Sequence, residues 1–160
     1  MPFIEIITSE NSKVQLSNFI TKFLVNNCET MYIKESNIGN IKNIKLDTIV
    51  INEKVENWNI LEKIVNNSKN LVYNLDMNKN LDRNIFNSCS TISYGYNSKS
   101  DITISSIEDD EILICLQNTI KNPQNLKIEP QEIKVNIRRE SVDIYDVMIV
   151  IALAILYAKC

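Results

Sequence analysis

The segment Thr8 to Gln15 holds the residues best placed to do chemistry. It follows the β-branched run Phe3-Ile4-Glu5-Ile6-Ile7 and carries Thr8, Asn11, Ser12 and Lys13 within six positions. A lysine beside the free backbone N–H groups of a helix start is suited to phosphate, because the amides and the ammonium both point positive charge at the anion. A working phosphate loop also uses glycine, so that the backbone can wrap the ligand, and a hydroxyl after the lysine to hold Mg²⁺. Here Ser9 and Ser12 stand where glycine would serve, and Val14 follows Lys13. As a motif the segment fails, and taken alone it reads as an ordinary strand-to-helix connection.

Other chemistries are removed by composition. Among 160 residues there is no His, so imidazole general acid–base catalysis, Ser-His or Cys-His pairs and imidazole zinc sites are excluded. Cys28, Cys89, Cys115 and Cys160 contain no C-x-x-C pair and read as free thiols of a reduced compartment, which places the chain in the cytoplasm. The acidic run Glu108-Asp109-Asp110-Glu111 reads as a solvated turn. Lys134, Arg138 and Arg139 form a small basic patch, read as a solvated face. Net charge is −3, which offers nucleic acid no attraction, and no aromatic platform for bases is visible. The apolar run Val147 to Ala158 is short of the roughly 20 residues of a membrane span. It is expected to be a buried helix, with membrane attachment as the lesser reading.

These residues need a frame. Phe3–Ile7, Met31–Ile33, Leu46–Asn52, Asn70–Tyr73 and Cys89–Tyr94 read as strands rich in β-branched residues. Val14, Leu16, Phe19, Ile20, Phe23 and Leu24 give a helix to about Val25, and Trp58, Leu61, Ile64 and Val65 share one face of a second. A short helix falls at Leu81 to Phe86, and the polar stretch Lys34 to Lys45 reads as loop. Alternating strands and helices predict an α/β fold: three layers around a mostly parallel sheet that begins with a phosphate-loop-like β-loop-α unit. Asp101–Ile107, Glu111–Gln117 and Lys127–Ile137 alternate polar and apolar, so an antiparallel element is expected at about 100–137, with Pro130 at an edge or break. A closing helix, capped by Ser141 or Asp143, should occupy about 142–159. The whole, 1–160, reads as a single domain.

In this order, four segments resemble the central ATPase domain of the Mur ligase family. Thr8-Ser9-Glu10-Asn11-Ser12-Lys13-Val14-Gln15 is similar to the family's T-G-T-N-G-K-T-T loop. Leu71 to Asp76 resembles its strand ending in N-a-D-D, Thr91 to Ile102 its Y-G-f-n-s-k-a-D segment, and Val142 to Ala152 its H-N-v-y-N-a-l-a helix. The resemblance implies a shortened central domain with vestigial nucleotide-binding positions at Thr8, Asn11, Ser12, Lys13, Asn74 and Asp143.

The departures imply lost catalysis. Both loop glycines and the Mg²⁺ hydroxyl are gone, the metal-binding glutamate has no clear counterpart, and no His stands near Glu53 to Glu56. The carbamylated lysine would fall near Glu62 or Lys63, and Val142-Asp143 replaces the adenine-contacting His-Asn pair. Acyl-phosphate formation needs metal ions to neutralise the phosphate oxygens. The expectation is therefore a pseudoenzyme with no catalytic or metal residues and no bound cofactor. It would act as a binding or scaffold module, with a protein partner or a second copy, in a cell-envelope setting. Two other readings stand beside it: a regulator that keeps weak ATP binding at Lys13, and a membrane-attached accessory protein.

Overall fold

A computed structural model describes residues 1–24, 28–86, 88–137 and 142–157. Val25, Arg138, Arg139, Ser141, Ala158 and Cys160, which figure in the expectations above, lie outside the described residues.

The fold is α/β, as the alternation predicts. Strands β1 (Phe3–Ile7), β2 (Glu29–Ile33), β3 (Leu46–Ile51), β4 (Ser68–Asn74), β5 (Ser90–Tyr94), β6 (Ile102–Ile107), β7 (Glu111–Leu116) and β10 (Gln131–Asn136) form one eight-stranded sheet in the order β10-β7-β6-β5-β4-β3-β1-β2. β1 to β6 pair in parallel, while β6-β7 and β7-β10 are antiparallel. The antiparallel strands are thus continuous with the main sheet. The short β8 (Ile120–Lys121) and β9 (Lys127–Ile128) pair separately. Glu129-Pro130 separates β9 from β10, the edge strand, as the proline's missing N–H requires.

Helices cover both faces. α1 (Glu10–Leu24) and α3 (Ile144–Tyr157) pack on the side of Ile4, Ile6, Val50, Val72 and Ile92. α2 (Trp58–Asn66) packs on the side of Ile7, Ile49, Ile51 and Leu71. Burial on both faces explains the unbroken apolar run Ile49-Val50-Ile51. The crossover from β1 to β2 uses α1 on one face, and those from β2 through β5 use the other. The chain therefore reverses direction between β1 and β3, and the carboxyl ends of these strands are the edge at which open α/β sheets place their ligands.

Four expectations need correction. α1 begins at Glu10, not near Val14: the Ser9 carbonyl accepts Lys13 N–H at 3.1 Å and the Ser9 hydroxyl accepts Ser12 N–H at 3.4 Å, which nucleates the helix inside the polar segment. Val14 and Phe23, expected on the buried face, are exposed, and Leu16 and Ile20 carry the contact instead. The stretch read as loop at Lys34 to Lys45 contains a 3₁₀ helix, Glu35–Ile41, because Ile38 and Ile41 are spaced by its three-residue turn and both are buried. Trp58 is partly exposed at the start of α2, where Leu61, Ile64 and Val65 make the core contact.

The apolar run near the end of the chain is α3, buried from Asp146 to Leu153. The connections among β2 to β5 use the opposite face, so without α3 the strands β4 to β6 would lie bare on this side. Its ends are pinned across the sheet. Tyr145 donates to Asp76 Oδ2 at 3.0 Å beyond β4, and the Tyr157 hydroxyl meets Thr48 and Asn70 near the starts of β3 and β4. No described helix is long and apolar enough to cross a membrane.

Candidate functional site at the carboxyl edge of the sheet

Four neighbouring parallel strands each bring a polar residue to the carboxyl edge of the sheet. Thr8 follows β1, Asn52 follows β3, Asn74 ends β4 and Tyr94 ends β5, and all four are buried. Asn52 Nδ2 donates to Thr8 Oγ1 at 3.4 Å, and the Tyr94 hydroxyl donates to Asn52 Oδ1 at 2.7 Å. Asn74 Oδ1 accepts Met77 N–H at 3.2 Å, which turns the chain after β4, whereas Asn74 Nδ2 has no partner. Burial raises the Tyr94 hydroxyl well above its ordinary range, and the nearby Asp146 carboxylate adds to that shift. The row is therefore neutral, and hydrogen bonds link Thr8, Asn52 and Tyr94 within it.

The Asp76 carboxylate anchors the rim. It accepts Tyr96 N–H at 2.7 Å, Asn97 N–H at 3.0 Å and the Tyr145 hydroxyl, so β4, the turn after β5 and α3 meet on one side chain. Burial and that bond to Asp76 push the Tyr145 hydroxyl to about 12. Gly95 has φ +150°, and a Cβ there would lie 2.6 Å from Asp76 Oδ2. Only glycine lets the turn close on the carboxylate.

The expected site residues divide. Thr8 and Asn74 join the buried edge. Ser12 is half-buried and accepts from Ser9 Oγ at 3.1 Å, while Asn11 and Lys13 stand exposed on the first turn of α1. Asp143 is exposed and caps α3, its Oδ1 accepting Tyr145 N–H at 2.9 Å, as its capping assignment anticipates. Among the described residues no lysine or arginine hydrogen-bonds into the row Thr8, Asn52, Asn74 and Tyr94.

The start of α1 is closed by its own chain. Only Thr8 and Ser9 separate β1 from the helix, so there is no loop long enough to wrap an anion. Ser9 occupies the amide end, and Glu10, paired with Lys34 at 3.4 Å, adds negative charge there. Val14 projects to solvent, 64% exposed. Glu35, the carboxylate just after β2, is spent on α2: its Oε1 accepts Glu56 and Asn57 N–H at 3.0 and 3.2 Å. Among the described residues no three His, Cys, Asp or Glu side chains are grouped to hold a metal. Cys28, Cys89 and Cys115 are free thiols, and burial pushes Cys89 to about 12, so it is no nucleophile at neutral pH.

Sequence reasoning missed Asn52, Tyr94 and Asp146 as members of the edge, and the pair Arg83–Asp101 beside it. Arg83 Nη2 meets Asp101 Oδ2 at 2.8 Å and Nε meets the Tyr73 hydroxyl at 2.9 Å. Asp101 also accepts Ser93 N–H at 2.8 Å and Asn118 Nδ2 at 2.8 Å, so it is structural. The available signal was position: polar residues at the carboxyl ends of neighbouring parallel strands fall together at one edge of the sheet. No family model matches the chain, and no curated protein matches its sequence.

Proposed function

We propose that this chain is a non-catalytic relative of the Mur ligase central domain, acting as a binding or scaffold module through protein–protein contacts. A cytoplasmic, cell-envelope setting goes with that reading. The observation that carries it is the closed start of α1, where Ser9 and Glu10 occupy the place at which a phosphate would be held. Two further observations support it. The segments that resemble the family come together at one edge, with Asp76 bridging to the turn at Gly95 and to Tyr145. The buried row there is neutral and carries no cation to offset a triphosphate.

Titrating ATP with Mg²⁺ against the wild type and Lys13→Ala tests the reading by calorimetry. The expected result is no saturable heat up to millimolar nucleotide in either protein. Saturable binding that Lys13→Ala abolishes would overturn it in favour of a nucleotide-binding regulator, the reading that the exposed Lys13 beside a helix start would then support.

A further inference from the structure

β10 lies at one end of the sheet, opposite β2, and among the described residues no strand pairs with its outer side. Its ladder with β7 fixes which backbone groups stay open. The Ile137 N–H donates to the Asp110 carbonyl at 3.1 Å, in step with the register Asn136↔Glu111. Hydrogen-bonded pairs alternate along an antiparallel ladder, so Gln131, Ile133 and Val135 also turn their backbone groups to β7. Glu132, Lys134 and Asn136 turn theirs outward, and all three residues are exposed.

Side chains alternate by face as well. Ile133 and Val135 are half-buried against the core that α3 covers, which leaves Glu132, Lys134 and Asn136 on the other face. There Glu132 Oε1 accepts from Ser105 Oγ at 2.6 Å, and Lys134 pairs with Glu111. A carboxylate has two oxygens and an ammonium three donors, so each side chain can serve a second partner.

The strand is its own complement. A two-fold antiparallel pairing must set outward residues against outward residues, and the two registers with most overlap centre on Ile133 or on Lys134. Centring on Lys134 sets that ammonium against its own copy. Centring on Ile133 sets Glu132 against Lys134 on both sides of the axis, and Ile133 against Ile133. Opposite charges facing across strands stabilise a pairing, and like charges oppose it.

We propose that this chain forms a two-fold dimer by antiparallel pairing of β10 with β10 of a second copy, centred on Ile133. Glu132 of each copy then faces Lys134 of the other, and the two sheets become one. One strand pair buries less than the roughly 1,200 Å² of standard interfaces, so the dimer is weak and concentration-dependent. The surface is at the far end of the sheet from β1 and β2, so the proposal stands whether or not α1 has lost its phosphate site.

Sedimentation equilibrium of the full chain, with reductant present, should show monomer and dimer exchanging between about 10 μM and about 1 mM. Glu132→Lys and Lys134→Glu should each weaken dimerisation about 10-fold or more, because two facing pairs per dimer turn repulsive. An equal mixture of these two variants should dimerise again, as should the double variant, since both restore opposite charges across the axis. Should a charge variant fail to fold, Lys134→Pro removes an outward N–H and no bond to β7, and it should leave a monomer. In amide exchange, Glu132 and Lys134 should gain protection as the protein is concentrated, with Ile133 and Val135 protected throughout. A monomer at about 1 mM would mean that Lys134 and Pro130 guard the edge, and would overturn the proposal. A dimer indifferent to the charge variants or to Lys134→Pro, or a mixture that stays monomeric, would overturn it equally.

Discussion

Glu5 is the residue whose surroundings ask most of it. It lies in the middle of β1, fully buried, between Met31 of β2 and Ile49 of β3 in register, and neither carboxyl oxygen has a partner. Burial raises it from an ordinary 4.5 to about 7. Between these values the folded chain keeps a proton that the unfolded chain releases, so stability falls as pH rises from about 4.5 through about 7 and levels off above. Asp146, raised from 3.8 to about 7, acts in the same direction. Chemical denaturation of Glu5→Gln across pH 4 to 8 should show a flatter profile and a gain over the wild type at the alkaline end. An unchanged slope would mean that Glu5 stays solvated. Gly95 makes the complementary case. Gly95→Ala places a methyl against Asp76 and should cost about 1–3 kcal/mol, seen as a lower denaturation midpoint.

At the scale of elements, α1 and α3 show how caps and coverage replace intrinsic preference. Ser9 starts α1 inside a stretch too polar to show a helical apolar face. Ser9→Ala should therefore cost about 1 kcal/mol by denaturant titration and loosen the first turn in hydrogen exchange. If protection at Ser12 and Lys13 stayed unchanged, the cap would not be what closes the anion site. α3 is apolar nearly all round because the sheet, α1 and half-buried residues of β10 surround it. Ile149→Ala should lose about 2–5 kcal/mol of stability, as core truncations do. A helix serving only as a lipid anchor would show no such loss in water.

Over the whole molecule, the sheet order turns separate polar residues into one edge. Thr8, Asn52, Asn74 and Tyr94 are far apart in the chain and adjacent only because β1, β3, β4 and β5 are parallel neighbours. Strand and helix identities were legible from the sequence alone, since β-branched runs and apolar spacing report which faces are buried. The parallel core, the break at Pro130 and the buried closing helix followed from them. What stayed illegible was non-local. Asn52 and Asp146 look like ordinary polar residues until the crossover reversal and the α3 packing bring both of them close to Tyr94. The place of Lys13 was equally hidden, because a two-residue connection and a serine cap decide whether a lysine after a strand faces an anion or solvent. Local patterning depends on each residue's own neighbours, so it is written in the chain. Which side chains converge, and which acceptors are left unpaired, depends on strand order and packing, and only the tertiary structure decided those.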